Sequence, residues 1–264
     1  MSSRGFIRTF YGEHPEKADE NFRNKFRKYI SDYYSTFISN EEKINGIVED
    51  NINKHILGDR LNKIKSNIQK SLEEKIQFPF VCYTFGTDNH KYLLSLGIHS
   101  ILVHDFPNPF YMYRHKLEAL KFGMSDFDEI VFVDWDTYLI KEIDEQFWTL
   151  LNEKDILQAS LNRYRHPHLS HRIGKQNQWC PSGAFIYCRD KSVPDKIIEY
   201  WKKEAHIYSC EVGIARLTDE WMGKWDINEY HRRFEPHVFT SRHSKLIKDS
   251  DKNYFFCRGG GKLY

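Results

Sequence analysis

Three observations predict an α/β chain, a mostly parallel sheet flanked by helices with a helical segment inserted near the N-terminus. Short apolar runs rich in β-branched and aromatic residues alternate with stretches of helical periodicity. One run, Ile130-Val131-Phe132-Val133, is apolar throughout, as a strand buried on both faces should be. It leads straight into Asp134-Trp135-Asp136, and open α/β sheets bind ligands outside the carboxyl ends of their strands. At 264 residues the chain can bury a sizeable core, and no repeat or low-complexity linker divides it, so one domain over 1–264 is expected.

The elements follow in order. Residues 6–11 (FIRTFY) read as a first strand, closed by Gly12. From Pro15 a helix is expected to about residue 38, with Phe22, Phe26, Tyr29, Ile30, Tyr33 and Phe37 on one face. Two further helical patterns carry Ile44, Ile47, Val48 and Ile52, then Leu61, Ile64, Ile68 and Leu72. They make an elaboration at about 40–76 whose charged faces suit solvent. Residues 78–85 (FPFVCYTF) predict the second strand, 90–96 a helix stopped by Gly97, and 100–104 the third strand. A helix over 111–122 leads through Gly123 to the central strand. Beyond it, helices are expected over 142–151, 195–206 and 217–225, with strands over 156–160 and 184–188. Between those strands lies a basic loop, 162–178, long for a connection without structure of its own.

Composition excludes several classes. A formal charge of +2 rules out a nucleic-acid partner held by bulk electrostatics. No run of 18 apolar residues supplies a transmembrane segment, and the first residues lack the apolar core of a secretory signal. Five cysteines, odd in number and without CxxC spacing, point to reduced thiols rather than a zinc ribbon, so a cytoplasmic location is expected. Aromatics are 16% of residues, which suits stacking surfaces as well as a core.

Four motifs carry the candidate chemistry. Asp134 and Asp136 can offer hard oxygens to a divalent cation, which in turn can clamp a diphosphate. Residues 113–120 (YRHKLEAL) place Lys116, a point charge suited to phosphate, on the preceding helix. Ser182-Gly183 opens a strand, and glycine lets a backbone approach a ligand closely. Thr218-Asp219-Glu220 leads a late helix, where one acid can cap and the other work.

In this order, these motifs resemble those of nucleotide-sugar glycosyltransferases of the Rossmann-like GT-A fold, distantly the glycogenin and lipopolysaccharide-galactosyltransferase type. The resemblance spans nearly the whole chain apart from the elaboration. It implies a hexosyltransferase with a DxD motif, in which Asp134 and Asp136 bind Mn²⁺ or Mg²⁺. It implies a UDP- or GDP-sugar donor held by Thr9, Phe10, Tyr11, Gly12, Lys116, Trp135, Ser182, Gly183 and Lys262, with Tyr or Phe stacking on the base. Asp219 or Glu220 would stand at the reacting hydroxyl of a glycan, lipid or protein acceptor. One departure is visible: where the family's C-terminal motif has a metal-ligating His ahead of Gly259 and Lys262, this chain has Phe256, with Cys257 beside it and His243 upstream. The third ligand stays open between His243, Cys257 and water.

The same acids allow other readings. A haloacid-dehalogenase-type phosphatase would use Asp134 as nucleophile and Asp136 as acid, but Tyr138 stands where Thr or Val belongs and no GDxxxD follows. A nucleotidyltransferase would need a Gly-rich basic signature that the first strand lacks. A non-catalytic sugar-nucleotide-binding module would need only the acids at the strand end.

Overall fold

The computed structural model describes residues 3–12, 19–35, 39–55, 59–105, 112–151, 156–162, 180–204, 239–241 and 254–258. Its core is a six-stranded sheet in the order β3-β2-β1-β4-β7-β6. The strands are β1 (Arg4–Phe10), β2 (Val81–Phe85), β3 (Ser100–His104), β4 (Glu129–Val133), β6 (Ile156–Asn162) and β7 (Cys180–Cys188). β3, β2, β1 and β4 run parallel; β7 is antiparallel to both β4 and β6. The sheet is thus mostly parallel and flanked by helices, as expected. Among the described strands of this sheet only β7 runs against the others, and it lies beside β4.

Side-chain alternation explains the layers. On one face Ile7, Tyr83, Ile130, Phe132, Ile186 and Cys188 pack beneath α5 (Met112–Asp126) and α7 (Val193–Glu204). The opposite face of the same strands turns Phe6, Val131, Val133, Phe185 and Tyr187 toward α6 (Glu145–Leu151) and a small second sheet. That sheet joins β5 (Thr137–Leu139), β9 (Phe255–Cys257) and β8 (Phe239–Ser241) in the order β5-β9-β8. Aromatic rings cluster here. Phe6, Phe78, Phe147, Trp148, Tyr254 and Phe255 meet edge-on or tilted at 5.0–6.0 Å. Such pairs add about 0.5–1.5 kcal/mol each beyond the area they bury.

The N-terminal elaboration is α1 (Glu20–Ser35), α2 (Glu41–His55) and α3 (Asp59–Leu72). Its third helix is more than a solvated addition. Leu61 and Ile68 of α3 are buried with Phe10, Cys82 and Trp135, so this helix completes the core over the end of β1. Among the described residues no helix is long and apolar enough to cross a membrane.

Several boundaries differ from the sequence reading. β2 begins at Val81 rather than residue 78, because Pro79 has no N–H for the ladder and pairing with β1 starts at Ile7 and Val81. α4 (Thr87–Ser95) starts three residues early, while the expected stop at Gly97 is present with φ 73°. α5 continues through Gly123 to Asp126. A Cβ on Gly123 would lie 2.9 Å from Ile7 Cδ1, so this glycine serves close packing of the helix on β1, not termination. β7 starts at Cys180, four residues before the expected 184. The helix expected over 217–225 and, apart from Asn162 at the end of β6, the basic loop expected over 162–178 lie outside the described residues.

Candidate functional site

The candidate site forms where β4 ends. Asp134 continues the ladder to β7, its N–H donating to the Ala184 carbonyl at 2.9 Å. The chain then turns, and Thr137 N–H donates back to the Asp134 carbonyl at 3.0 Å. Trp135 points inward. Its indole N–H donates to the Thr9 carbonyl at 2.8 Å, and its ring meets Phe80 edge-on at 5.5 Å. With the residue between them buried, Asp134 and Asp136 are left partly exposed on the turn.

Lys116 reaches this turn from α5. Its Nζ lies 2.8 Å from Asp134 Oδ1 and donates to Asp134 Oδ2 at 2.9 Å and to the Gly183 carbonyl at 3.0 Å. It also sits 4.9 Å from the Phe132 ring. The Lys116 side chain is 10% exposed and that of Asp134 32%, so the charge is screened on one side and open to solvent on the other. The structure therefore brings Lys116, Asp134, Trp135 and Gly183 to one edge of the sheet.

The end of β1 arrives beside them. The Thr9 hydroxyl is committed to the Tyr83 carbonyl at 2.9 Å. Phe10 is fully buried among Leu61, Ile68 and Leu93, so it presents no face for a base; strand alternation turns it away from Thr9 and Tyr11. That corrects the expectation of Phe10 as a stacking wall. Tyr11 stands 5.6 Å from the His115 ring, and the Gly12 carbonyl accepts from Asn89 Nδ2 at 3.1 Å. Ser182 lies on β7. Asp219, Glu220, Lys262 and His243 lie outside the described residues.

The C-terminal strand is the feature that local patterns least announce. β9 pairs with β5 so that Thr137 faces Cys257 and Tyr138 faces Phe256. Arg258 N–H donates to the Asp136 carbonyl at 2.8 Å, and Cys257 Sγ lies 3.7 Å from Asp136 Oδ1. The Arg258 guanidinium covers the Tyr138 ring at 4.4 Å and pairs with Glu74, just beyond α3. Phe256, which stands where the resembled family has a His, meets the Tyr138 ring in a tilted contact at 5.5 Å.

Arg8 is a residue the sequence reading passed over. It is 2% exposed, 4.5 Å over the Trp135 ring, 4.8 Å over Phe80 and 5.1 Å over Phe78. Burial pushes its guanidinium down to about 10, against the opposing pull of Cys82, Asp134, Asp136 and Glu74. The signal was present: a charge within FIRTFY, on the same face as Phe6 and Phe10.

Two carboxylates open to solvent fit a hard divalent cation that keeps several waters and takes further oxygens from a substrate's phosphates. Among the described residues no group of three His, Cys, Asp or Glu is placed to hold a metal. Among the described residues, a cation here would draw on Asp134 and Asp136.

No family model matches the chain, and no curated protein matches it. Solved structures of glycosyltransferases are similar in shape. The galactosyltransferase LgtC, in complex with donor and acceptor sugar analogues, is 12% identical over 81% of this chain and 70% of its own, with a TM-score of 0.42. The bifunctional glycosyltransferase WbbM, in its apo form, is 9% identical over 98% of this chain and 46% of its own, with a TM-score of 0.41. Mouse xyloside xylosyltransferase 1, also apo, is 10% identical over 76% of this chain and 93% of its own, with a TM-score of 0.38. Likenesses this distant leave the functional reading to the site.

Proposed function

We propose that this chain is a divalent-cation-dependent glycosyltransferase that moves a sugar from a nucleoside diphosphate donor to an acceptor hydroxyl. The observation that carries the reading is the grouping of Asp134, Asp136 and the Lys116 ammonium at the end of β4, beside the strand reversal of the sheet. Bound Mn²⁺ or Mg²⁺ would supply the positive charge that offsets the charge developing on the leaving diphosphate. Asp134 and Asp136 would hold that cation. Lys116 orients Asp134 and brings a second positive charge to the edge where the phosphates lie. Gly183, whose carbonyl is already tied to Lys116, lines the floor beneath the sugar with Ser182. Tyr11 and Gly12 would border the nucleoside, and Lys262 would serve as a further cation for the diphosphate. Asp219 or Glu220 takes or orients the acceptor proton.

A thermal-shift screen with UDP-, GDP-, dTDP- and CMP-sugars, with and without Mn²⁺, tests the reading. At a hundredfold excess over Kd a ligand stabilises by about 2.7 kcal/mol. The expected result is stabilisation by one donor class that requires Mn²⁺ and is lost in Asp134→Asn. No Mn²⁺-dependent stabilisation by any donor would refute it.

A further inference from the structure

Arg8 is an expensive residue for the place it occupies. It lies in the middle of β1, enclosed by Phe78, Phe80 and Trp135, where leucine or methionine would fill the space without carrying a charge out of water. Burying a guanidinium costs several kcal/mol, and three ring faces and a single carbonyl recover only part of that. Nη2 donates to the Thr137 carbonyl at 3.1 Å, while Nε and Nη1 are buried with no hydrogen-bond partner among the described residues. A side chain so poorly satisfied is not explained by stability.

Its contacts supply an explanation. Arg8 touches the residues on either side of Asp136: the main chain of Thr137 and the ring face of Trp135. Trp135 is tied from its far side to the Thr9 carbonyl. The Asp134 N–H is held by β7 and the Asp136 carbonyl by Arg258. The main chain of turn 134–137 is therefore held from β1, from β7 and by Arg258 just past β9, while Lys116 holds the Asp134 carboxylate. A buried positive charge beneath two neighbouring carboxylates also offsets their mutual repulsion, which would otherwise push them apart before a cation arrives.

We propose that Arg8 is the positioning residue of this turn, its fork and plane holding Trp135 and Thr137 so that Asp134 and Asp136 stay at the separation a divalent cation needs. The inference rests on the cation-dependent reading above. Lysine cannot take over the role, because a point charge on a flexible stem neither stacks as a plane nor forks.

The test compares Arg8→Lys and Arg8→Met with the unchanged chain by hydrogen–deuterium exchange and Mn²⁺ binding. A third variant, Phe147→Leu, loosens the aromatic cluster on the same face without touching the turn. Both Arg8 variants should exchange faster over 134–139, while β4 and β7 exchange as before. Both should bind Mn²⁺ at least about tenfold more weakly, the loss typical of removing a group that orients metal ligands. Phe147→Leu should lower stability and leave Mn²⁺ affinity unchanged. Should Arg8→Met fail to fold, Arg8→Lys, which keeps the charge, carries both readouts. Turn exchange that matches the unchanged chain, or that rises only in step with β4 and β7, overturns the inference. If the unchanged chain binds no Mn²⁺, the cation-dependent reading falls, and exchange at the turn alone decides Arg8.

Discussion

The Lys116 ammonium lies 2.8 Å from Asp134 Oδ1 and within 3.0 Å of the Gly183 carbonyl oxygen, so one side chain of α5 joins β4 to β7 at the edge of the sheet. The pair is half-screened, with Lys116 nearly buried and Asp134 a third exposed.

Removing the ammonium leaves Asp134 short of its counter-charge and the Gly183 carbonyl short of a donor. Lys116→Met should therefore lower stability by about 1–2 kcal/mol, after allowance for solvent on the carboxylate side. Because a bound cation would supply the missing charge, Mn²⁺ should raise the melting temperature of the variant more than that of the unchanged chain. Melting curves with and without Mn²⁺ decide this; equal shifts would mean that Lys116 and the cation do not share Asp134.

Neutralising either carboxylate should strike function and spare the fold. Asp134→Asn and Asp136→Asn keep their backbone bonds to Ala184 and Arg258, so both should fold. Loss of a group that stabilises transition-state charge costs about 10²–10³ in rate. Mn²⁺-dependent donor turnover should fall by about that much, and full turnover in either variant would sink the cation site.

Gly5 sits in β1 directly beneath the Phe127 ring. A Cβ there would come within 2.7 Å of three ring carbons. Gly5→Ala should cost roughly 1–3 kcal/mol of overpacking. The double variant Gly5→Ala/Phe127→Leu should recover much of it. Denaturant midpoints measure both, and a double variant no more stable than the single one would assign the cost to the backbone instead.

Asp144 ties α6 to the small sheet. Its carboxyl is held below the usual range first by the Tyr254 hydroxyl, then by the Phe147 N–H and the Lys141 ammonium. A depressed carboxyl contributes stability that is present above its unfolded pKa, near 3.8, and is lost as pH falls through the lower folded value. Tyr254→Phe removes the leading cause. The stability gap between the unchanged chain and the variant should be level above about pH 5 and close as the solution is made more acidic. Denaturation at a series of pH values measures the gap, and one that persists unchanged into strong acid would show that the hydroxyl does not act through Asp144.

Local pattern made much of this legible. β3 falls on the expected residues, β4 within one residue, and α2 and α3 where their apolar positions placed them, because periodicity reports which face of an element is covered. The differences have particular causes. Pro79 delays β2, Gly123 is spent on packing, and α3 enters the core because two of its apolar residues meet Phe10 and Trp135. A charged face made α3 look like a solvated addition, since periodicity names a buried face without naming what buries it.

The alternating architecture, the apolar central strand and the carboxylates that follow it can be read from local pattern. The contacts that surround them come from packing. Lys116 arrives from α5, Arg8 from beneath and Arg258 from β9, and Phe10 turns away into the core. Each of these depends on chain segments far apart in sequence being brought together by sheet pairing. Register and layer packing set those meetings, and no single stretch of residues encodes them.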